Sequence, residues 1–307
     1  VLQNLRSRYA NQEVYTYSGI VLIAMNPFAR LPIYTNELIH AYHGKRKGEL
    51  EPHLFAIGEE ALAGMIRDQE NQTVVVSGES GAGKTVSAKF IMRYFATAGE
   101  TGKGGGNVNQ FSEVEEKIMA TNPILESFGN AKTTRNDNSS RFGKYIELHF
   151  GKNNKICGAK VRVYLLERSR LIFQPTSERN YHIYYQLCAG APSSEREQLK
   201  LKDVSKFYFT NQGGIAKVKG MDDVEEYKLT VDAMSTVGMS VTRQWEIFRI
   251  LAGLLWMGEV QITARGADKC AISDTDEGLC NVAELLHLDK ANYSKWITKK
   301  QTIIRNQ

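Results

Sequence analysis

Residues Gly78–Thr85 read GESGAGKT and fit the G-x-x-x-x-G-K-[ST] spacing of a phosphate-binding loop. A polyphosphate must approach backbone N–H groups closely, and side chains would block it. Gly78, Gly81 and Gly83 leave that approach open and tolerate the tight turn, while Glu79, Ser80 and Ala82 complete the loop. Lys84 has the length to reach β- and γ-phosphate oxygens, and Thr85 offers a hydroxyl to Mg2+. Upstream, Thr73–Ser77 (TVVVS) reads as a short buried strand. Downstream, Val86–Ala98 reads as a helix whose N-terminal dipole favours an anion. The alternative is a chance glycine turn, which such flanks argue against.

A second stretch with chemistry is Asn130–Tyr145, NAKTTRNDNSSRFGKY. It is polar, without helical or strand periodicity, and leads into a strand at Tyr145–Phe150. Asn136, Ser139, Ser140 and Arg141 bring an amide, two hydroxyls and a guanidinium into one short run. A triphosphate site needs such groups facing its terminal phosphate and metal. Asn26, Pro27 and Tyr34 follow the apolar run Tyr15–Met25 (YTYSGIVLIAM), read as one strand covered on both faces. They would then sit at the C-terminal end of a central strand, the edge where open α/β sheets bind ligands.

The elements that must position these groups follow from periodicity. Val1, Leu2, Leu5 and Tyr9 have helical spacing. Lys45, Arg46 and Lys47 read as a solvated loop. Pro52 opens a helix through about Asp68, with Leu54, Ile57, Ala61 and Met65 near one face. The helix after the phosphate loop carries Val86, Phe90 and Tyr94. Residues 99–110 are glycine-rich and read as a flexible surface loop. Ser112 and Glu115 have capping-box spacing for a helix through Ala120. Gly143–Phe150 and Ile156–Tyr164 read as strands of a hairpin turned at Gly151–Lys155. Glu167, Arg168 and Arg170 read as structural ion pairs. Tyr181–Ala189 is helical, Ala191–Lys202 polar and linker-like, and the rest mostly helical. Tyr227–Met239 and Arg243–Met257 are the clearest helices there, with Trp245, Phe248, Leu251, Leu255 and Trp256 as a core stripe. Asp222, Asp223, Glu225 and Glu226 read as a helix start rather than a metal site.

Composition narrows the class. The 307 residues suit roughly two domains or one large one. The net charge of +5 is mild for this length and makes no case for nucleic acid. Cys157, Cys188, Cys270 and Cys280 form no C-x-x-C pair, so they read as reduced thiols of a cytosolic protein. The histidines lack metal-ligand spacing, and no run reaches the ~20 apolar residues of a membrane span. Val1 and the polar run Lys299–Gln307 read as cut ends of a longer chain.

GESGAGKT followed by NDNSSRFGKY resembles the phosphate loop and switch I of a myosin motor domain. Asn26-Pro27 with Tyr34 matches that family's adenine-side motif, and Glu178–Gln186 and Phe248–Met257 also look like myosin segments. The resemblance runs from Val1 to about Gln307. Its wording, notably Tyr15–Asn26 and Arg135–Ile146, is closest to class V myosins of fungal type. Kinesins share an N-x-x-S-S-R switch followed by Ser-His; here Phe142-Gly143 follows Arg141.

The resemblance implies an α/β P-loop nucleoside triphosphatase with a mostly parallel, twisted central sheet flanked by helices, plus a mostly helical upper subdomain. Residues 1–98 would be the phosphate-loop core, 99–110 loop 1, which influences nucleotide release, 111–190 switch I and sheet strands, and 191–307 the helical subdomain. It implies that Lys84 and Asn136 bind phosphate oxygens and that Thr85 and Ser140 ligate Mg2+. Ser80 and Ser139 would lie near the γ-phosphate and attacking water, and Asn26 and Tyr34 beside the adenine. Arg141 would pair with a glutamate of switch II. The implied partners are actin filaments, with light chains, calmodulin or dimerisation through other regions. No nucleic acid or direct membrane insertion is implied, and the location is cytoplasmic, on the cytoskeleton.

A switch II of the form D-x-x-G-x-E is absent from the sequence, which leaves Arg141 with no matching glutamate within the chain. The expectation is therefore that the parent is an actin-activated ATPase, while this segment alone is at best a weak nucleotide binder. Two other readings stand beside it. One is a motor-like tether that binds without cycling, and the other is a different P-loop enzyme, which leaves Asn130–Tyr145 unexplained.

Overall fold

Gly19 takes a φ of +58°, and the run that reads as one long strand folds back on itself there. Strands β1 (Tyr15–Ser18) and β2 (Val21–Ala24) pair antiparallel, Tyr15 opposite Ala24 and Ser18 opposite Val21. A two-residue turn that starts on positive φ matches the right-handed twist of the strands, and glycine enters that region freely. The expected single strand over Tyr15–Met25 is thus a hairpin, with Ile20 at its tip 90% exposed.

The computed structural model describes residues 1–98, 113–152, 154–266 and 269–299. Before β1 comes helix α1 (Leu2–Ala10), and after β2 come α2 (Asn36–Tyr42), α3 (Leu54–Asp68), α4 (Lys84–Ala98) and α5 (Glu113–Gly129). Four strands follow: β3 (Asn130–Ala131), β4 (Ser139–Ser140), β5 (Gly143–Phe150) and β6 (Ile156–Tyr164). The remainder is helical, with α6 (His182–Gly190), α7 (Ser193–Gln198), α8 (Tyr208–Asn211), α9 (Asp223–Thr236) and α10 (Val241–Met257). A small ladder of β7 (Thr263–Ala264) and β8 (Cys270–Ala271) precedes α11 (Glu277–Leu286) and α12 (Lys290–Thr298). The loop expected over 99–110 and the Ser112 cap lie outside the described residues. The described strands form two-stranded sheets, β1–β2, β3–β4, β5–β6 and β7–β8.

The chain divides into two units, Val1–Met119 with Lys144–Val163, and Ala120–Gly143 with the chain from Tyr164 on. In the first, α3 and α4 supply the core. Phe55 and Tyr94 are fully buried with Ile39, Tyr42 and Leu62. Gly58 permits their approach: a Cβ there would lie 2.7 Å from the Tyr94 ring. Of the face expected on α3, only Leu54 is fully buried; the helix instead turns Phe55, Gly58, Glu59 and Leu62 inward. Glu59 accepts hydrogen bonds from Tyr94 Oη (2.6 Å) and Gly44 N (2.9 Å), which is how a carboxylate is tolerated inside. Lys47 departs from the solvated loop expected of it. Its ammonium donates to Ile20 O at 3.0 Å and lies 5.0 Å from the Tyr17 ring centroid. The β5–β6 hairpin forms over the expected residues, and Ile156 packs with Met92, Ala96 and Ile118.

Thr73–Ser77 is not a strand. A strand exists only where a neighbour completes its ladder, and no described strand pairs with this segment. Val75 is 82% exposed, so the expected burial fails as well.

The second unit is a helical body. Leu187, Leu199, Phe207, Leu255 and Trp256 form its centre, and Trp256 Nε1 donates to Lys200 O at 3.1 Å. The core stripe of α10 is where its periodicity puts it. The segment read as a polar linker, 191–202, is instead α7 followed by a fully buried Leu199. Gly190 lets α6 meet α9, since a Cβ there would fall 2.5 Å from Tyr227 Cβ. Asp222 caps α9 by accepting from Val224 N at 2.9 Å, as the acidic start predicts. Its neighbour Asp223 has a different task, holding the fully buried Arg179 at 2.8 Å.

Candidate functional site

The first group of candidate residues is assembled within the first unit. The phosphate loop ends where α4 begins, so Lys84 and Thr85 are the first two residues of a 15-residue helix. Gly81 and Gly83 take φ of +82° and +92°, a conformation that other residues reach only with strain. Lys84 curls back over the loop, its Nζ donating to Gly78 O (2.7 Å) and Glu79 O (2.9 Å). The ammonium is therefore held against the loop's own backbone carbonyls. Thr85 is half-buried, and Glu79 and Ser80 are exposed.

Asn26 reaches the loop from the end of β2. Its Nδ2 donates to Gly81 O at 2.7 Å, and its Oδ1 accepts from Phe28 N at 2.9 Å. Phe28 itself stands at a φ of +49°. Tyr34 goes elsewhere. Its ring stacks on Phe90 of α4 with centroids 3.6 Å apart and an interplanar angle of 8°, and its hydroxyl shares a 2.6 Å hydrogen bond with Tyr15. Burial raises the phenol pKa of Tyr34 above the ordinary value. Arg93 of α4 donates to Tyr34 O at 3.1 Å and to Asn36 Oδ1 at 2.7 Å. The adenine-side candidates are thus divided: Asn26 touches the loop, while one face of the Tyr34 ring is taken by Phe90.

The donor set fits a magnesium nucleotide. Positive-φ glycines put no side chain over the loop backbone, a cation is held on the loop carbonyls, and a hydroxyl stands in the first turn of a long helix.

The second group is assembled within the second unit. The stretch read as aperiodic is a long loop, 132–138, closed by a short ladder in which β3 pairs with β4, Asn130 opposite Ser140 and Ala131 opposite Ser139. Thr133 closes the turn: its N donates to Asn136 O at 2.8 Å and its Oγ1 accepts from Asn136 N at 3.2 Å. Asn136 Oδ1 accepts from Asn138 N at 3.0 Å, which pins its amide inside the loop. Ser139 is buried at 1% exposure, while Ser140 is half-buried.

Sequence reasoning missed the residue at the centre of this hairpin. Asn138 Oδ1 accepts from Asn130 Nδ2 (2.9 Å) and lies 3.2 Å from His182 Nε2, and Asn138 Nδ2 donates to Glu126 at 3.1 Å. His182 is buried, and its pKa is pushed down to about 3, by desolvation first and then by the charge of Arg179. It is a neutral imidazole at the base of the loop. The only local signal was the high density of short polar residues in the RNDNSSR run.

Arg141 has a partner outside any switch II motif: Glu167 Oε2 accepts from Arg141 Nε at 2.7 Å, and the expected structural ion pair of Glu167 with Arg170 also forms. Arg141 Nη1 also donates to Ser139 Oγ at 3.2 Å. Burial works to raise the Glu167 pKa, but hydrogen bonds from Arg141 and Arg170 outweigh it and hold the carboxyl below its ordinary value.

A family model described as myosin head (motor domain) matches residues 1–307. Among curated relatives, Myosin-2 of Lachancea kluyveri is 57% identical over 100% of this chain and 20% of its own length. Myosin-4 of Saccharomyces cerevisiae is 52% identical, over 100% and 21%. Unconventional myosin-Va of Homo sapiens is 51% identical, over 98% and 16%. The chain spans about a fifth of the length of the curated relatives it matches. With a family match from the first residue to the last and relatives above half identity along the whole of it, the chain belongs to the myosin head (motor domain) family.

Proposed function

We propose that the protein carrying this chain binds and hydrolyses MgATP and couples that reaction to force and movement along actin filaments, as a transport motor of class V character. The observation that carries the reading is the phosphate loop itself, with Lys84 folded onto the carbonyls of Gly78 and Glu79 and Asn26 keyed to Gly81. Backbone amides of Gly78–Thr85 and the Lys84 ammonium would hold phosphate oxygens, with Asn136 a further donor. Thr85 and Ser140 would ligate Mg2+, whose chemistry is to neutralise phosphate charge. Ser80, Ser139 and Arg141 would face the terminal phosphate and the water that attacks it, positioning rather than reacting. Asn26, Pro27 and Tyr34 would line the adenine side.

The same reading carries the finer architecture. In the complete protein, Thr73–Ser77 and β5–β6 would join a mostly parallel, twisted sheet, since Val75 offers an exposed apolar edge with no described neighbour. The chain would divide into a phosphate-loop core (1–98), loop 1 (99–110), a switch I and strand region (111–190) and a helical upper subdomain (191–307). Light chains or calmodulin would bind elsewhere in the protein, which would act in the cytoplasm on the cytoskeleton. This segment alone, whose sequence holds no D-x-x-G-x-E run, would bind nucleotide weakly.

Actin cosedimentation of the full-length protein with and without ATP tests the proposal. Release of bound protein by ATP is the expected result. Binding that ignores ATP would make it a tether, and no binding at all would point to another P-loop enzyme.

A further inference from the structure

The connection from Pro27 to Tyr34 is irregular, and among the described residues it makes no backbone-to-backbone hydrogen bond. A segment with no ladder of its own keeps one conformation only where side chains tie it down. Its first end is tied by Asn26, which donates to Gly81 O at 2.7 Å and accepts from Phe28 N at 2.9 Å. Its last end is tied to α4. There the Tyr34 ring stacks on Phe90 with centroids 3.6 Å apart. One turn on, Arg93 spreads its guanidinium over two acceptors, Nη1 donating to Tyr34 O at 3.1 Å and Nη2 to Asn36 Oδ1 at 2.7 Å.

Phe90 and Arg93 stand three positions apart, so they share one side of α4. The same helix begins at Lys84, the residue that closes the phosphate loop. At the usual helical rise, Phe90 and Arg93 lie about 9 Å and ~14 Å along the axis from Lys84. One rigid element thus carries the phosphate loop at its start and the anchors of the 27–34 connection about two turns later. Tyr34 and Asn36 flank Thr35, whose hydroxyl caps α2 by accepting from Leu38 N. Arg93 therefore holds the chain on both sides of the point where it turns helical. A planar guanidinium fork can grip two acceptors at once. Both acceptors here are neutral, a carbonyl and a side-chain amide oxygen, so the fork shapes the segment rather than neutralising a charge.

We propose that Arg93 is a positioning residue for the nucleotide base. It fixes the last end of the 27–34 connection on the helix that carries the phosphate loop, and so sets the separation between the base side and the phosphate side of the site. The proposal rests on the ATP reading above, which puts Asn26, Pro27 and Tyr34 beside the adenine. Arg93 need not touch the nucleotide. Its loss should weaken the grip on the base and spare the grip on the phosphates, which depends on Gly78–Thr85 and on the Asn26 bond to Gly81.

The test is made in the full-length protein with Arg93→Met, which keeps the aliphatic stem and removes both donors. Displacement of a fluorescent ATP analogue gives the Kd of ATP and that of inorganic tripolyphosphate, which has the phosphates and no base. The Kd of ATP should rise about 5- to 30-fold, the scale of losing one to two hydrogen bonds. That of tripolyphosphate should stay within roughly 2-fold, because the backbone donors of the loop are unchanged. Arg93→Lys, which reaches one acceptor at a time, should show the same split to a smaller degree, and it serves if the first variant does not fold. Asn36→Ala leaves the Thr35 cap of α2 in place. It should weaken ATP binding by about 3-fold in the wild-type background and by less than about 2-fold in the Arg93→Met protein, because the two residues act as one unit. A wild-type Kd for ATP in both Arg93 variants overturns the proposal and leaves the ATP reading standing. So does an equal loss for ATP and tripolyphosphate, which a merely structural arginine would give. A wild-type protein that binds neither ATP nor tripolyphosphate removes both.

Discussion

Asn26 and Gly81 are 55 residues apart in sequence, and the side-chain amide of the first donates to the carbonyl of the second at 2.7 Å. This bond ties the end of a β-hairpin to the apex of the phosphate loop. It fixes the Gly81 carbonyl on the Asn26 amide and so restrains the loop backbone at that peptide. Asn26→Ala removes this bond and the one from Phe28 N. A net hydrogen bond is worth about 1 kcal/mol, so ATP affinity should fall roughly 5-fold in a fluorescent-nucleotide titration. Asn26→Asp should be worse, because it turns a carboxylate onto a carbonyl. An Asp protein that binds as tightly as wild type would contradict the assigned contact.

Lys84→Ala should weaken nucleotide binding by about 10- to 100-fold, the worth of a hydrogen bond to a charged group. Its present partners, Gly78 O and Glu79 O, belong to the loop, so the fold itself should survive. Equilibrium binding of an ATP analogue reads the first effect and thermal unfolding the second. Unchanged affinity would mean that the loop does not cradle phosphate.

His53 should make the protein acid-sensitive. Its Nδ1 accepts from Phe55 N at 3.0 Å and caps α3, which requires that nitrogen to be unprotonated. Burial pushes its pKa down to about 4, whereas an unfolded histidine titrates near ~6.5. Between these values the unfolded chain binds the proton and the folded chain does not. Its contribution to stability is therefore whole above pH ~6.5 and is lost as pH falls toward ~4, by at most about 1.4 kcal/mol per unit. Urea unfolding at pH 7 and pH 5 should show this slope in wild type, and His53→Asn, which still caps, should remove the His53 share and leave that of His182, whose pKa is pushed down to about 3. A variant with the wild-type slope would assign the acid sensitivity to another group.

The Arg179–Asp223 pair should matter more than any surface pair in the chain. Arg179 is fully buried, lies 3.6 Å from the Tyr185 ring centroid and meets Asp223 at 2.8 Å. Asp223→Ala would strand a buried guanidinium and should cost about 3–5 kcal/mol. Replacing both partners by apolar residues, Arg179→Met with Asp223→Leu, should recover part of that loss. A shift in unfolding midpoint no larger than that of an exposed pair such as Lys228–Glu225 would refute the ranking.

Closing the space at Gly190 should also destabilise. A methyl there would fall 2.5 Å from Tyr227 Cβ, where α6 and α9 meet. Overpacking costs about 1–3 kcal/mol, more than the ~1 kcal/mol of helix propensity that alanine gains. Gly190→Ala should therefore lower the thermal midpoint, and a raised midpoint would show that the helices can part freely.

What the amino-acid sequence determined by itself was local. Eight consecutive residues, Gly78–Thr85, specify a phosphate loop because its donors are their own backbone amides, and α4 follows from the spacing of its apolar side chains. The Asp222 cap and the β5–β6 hairpin likewise depend on neighbours a few residues away. The tertiary structure alone decided whatever needs a distant partner. The mostly apolar run Tyr15–Met25 became a hairpin because Gly19 could turn it, a choice that Ser18-Gly19 permits but only the pairing of the two flanks decides. Thr73–Ser77 has strand composition and no ladder among the described residues, since pairing is a property of two segments. Arg179 looks like a surface residue until Asp223, 44 positions on, compensates its charge. The pairing of Arg141 with Glu167 is of the same kind: 26 residues separate them, and nothing short of the folded chain brings their charges together.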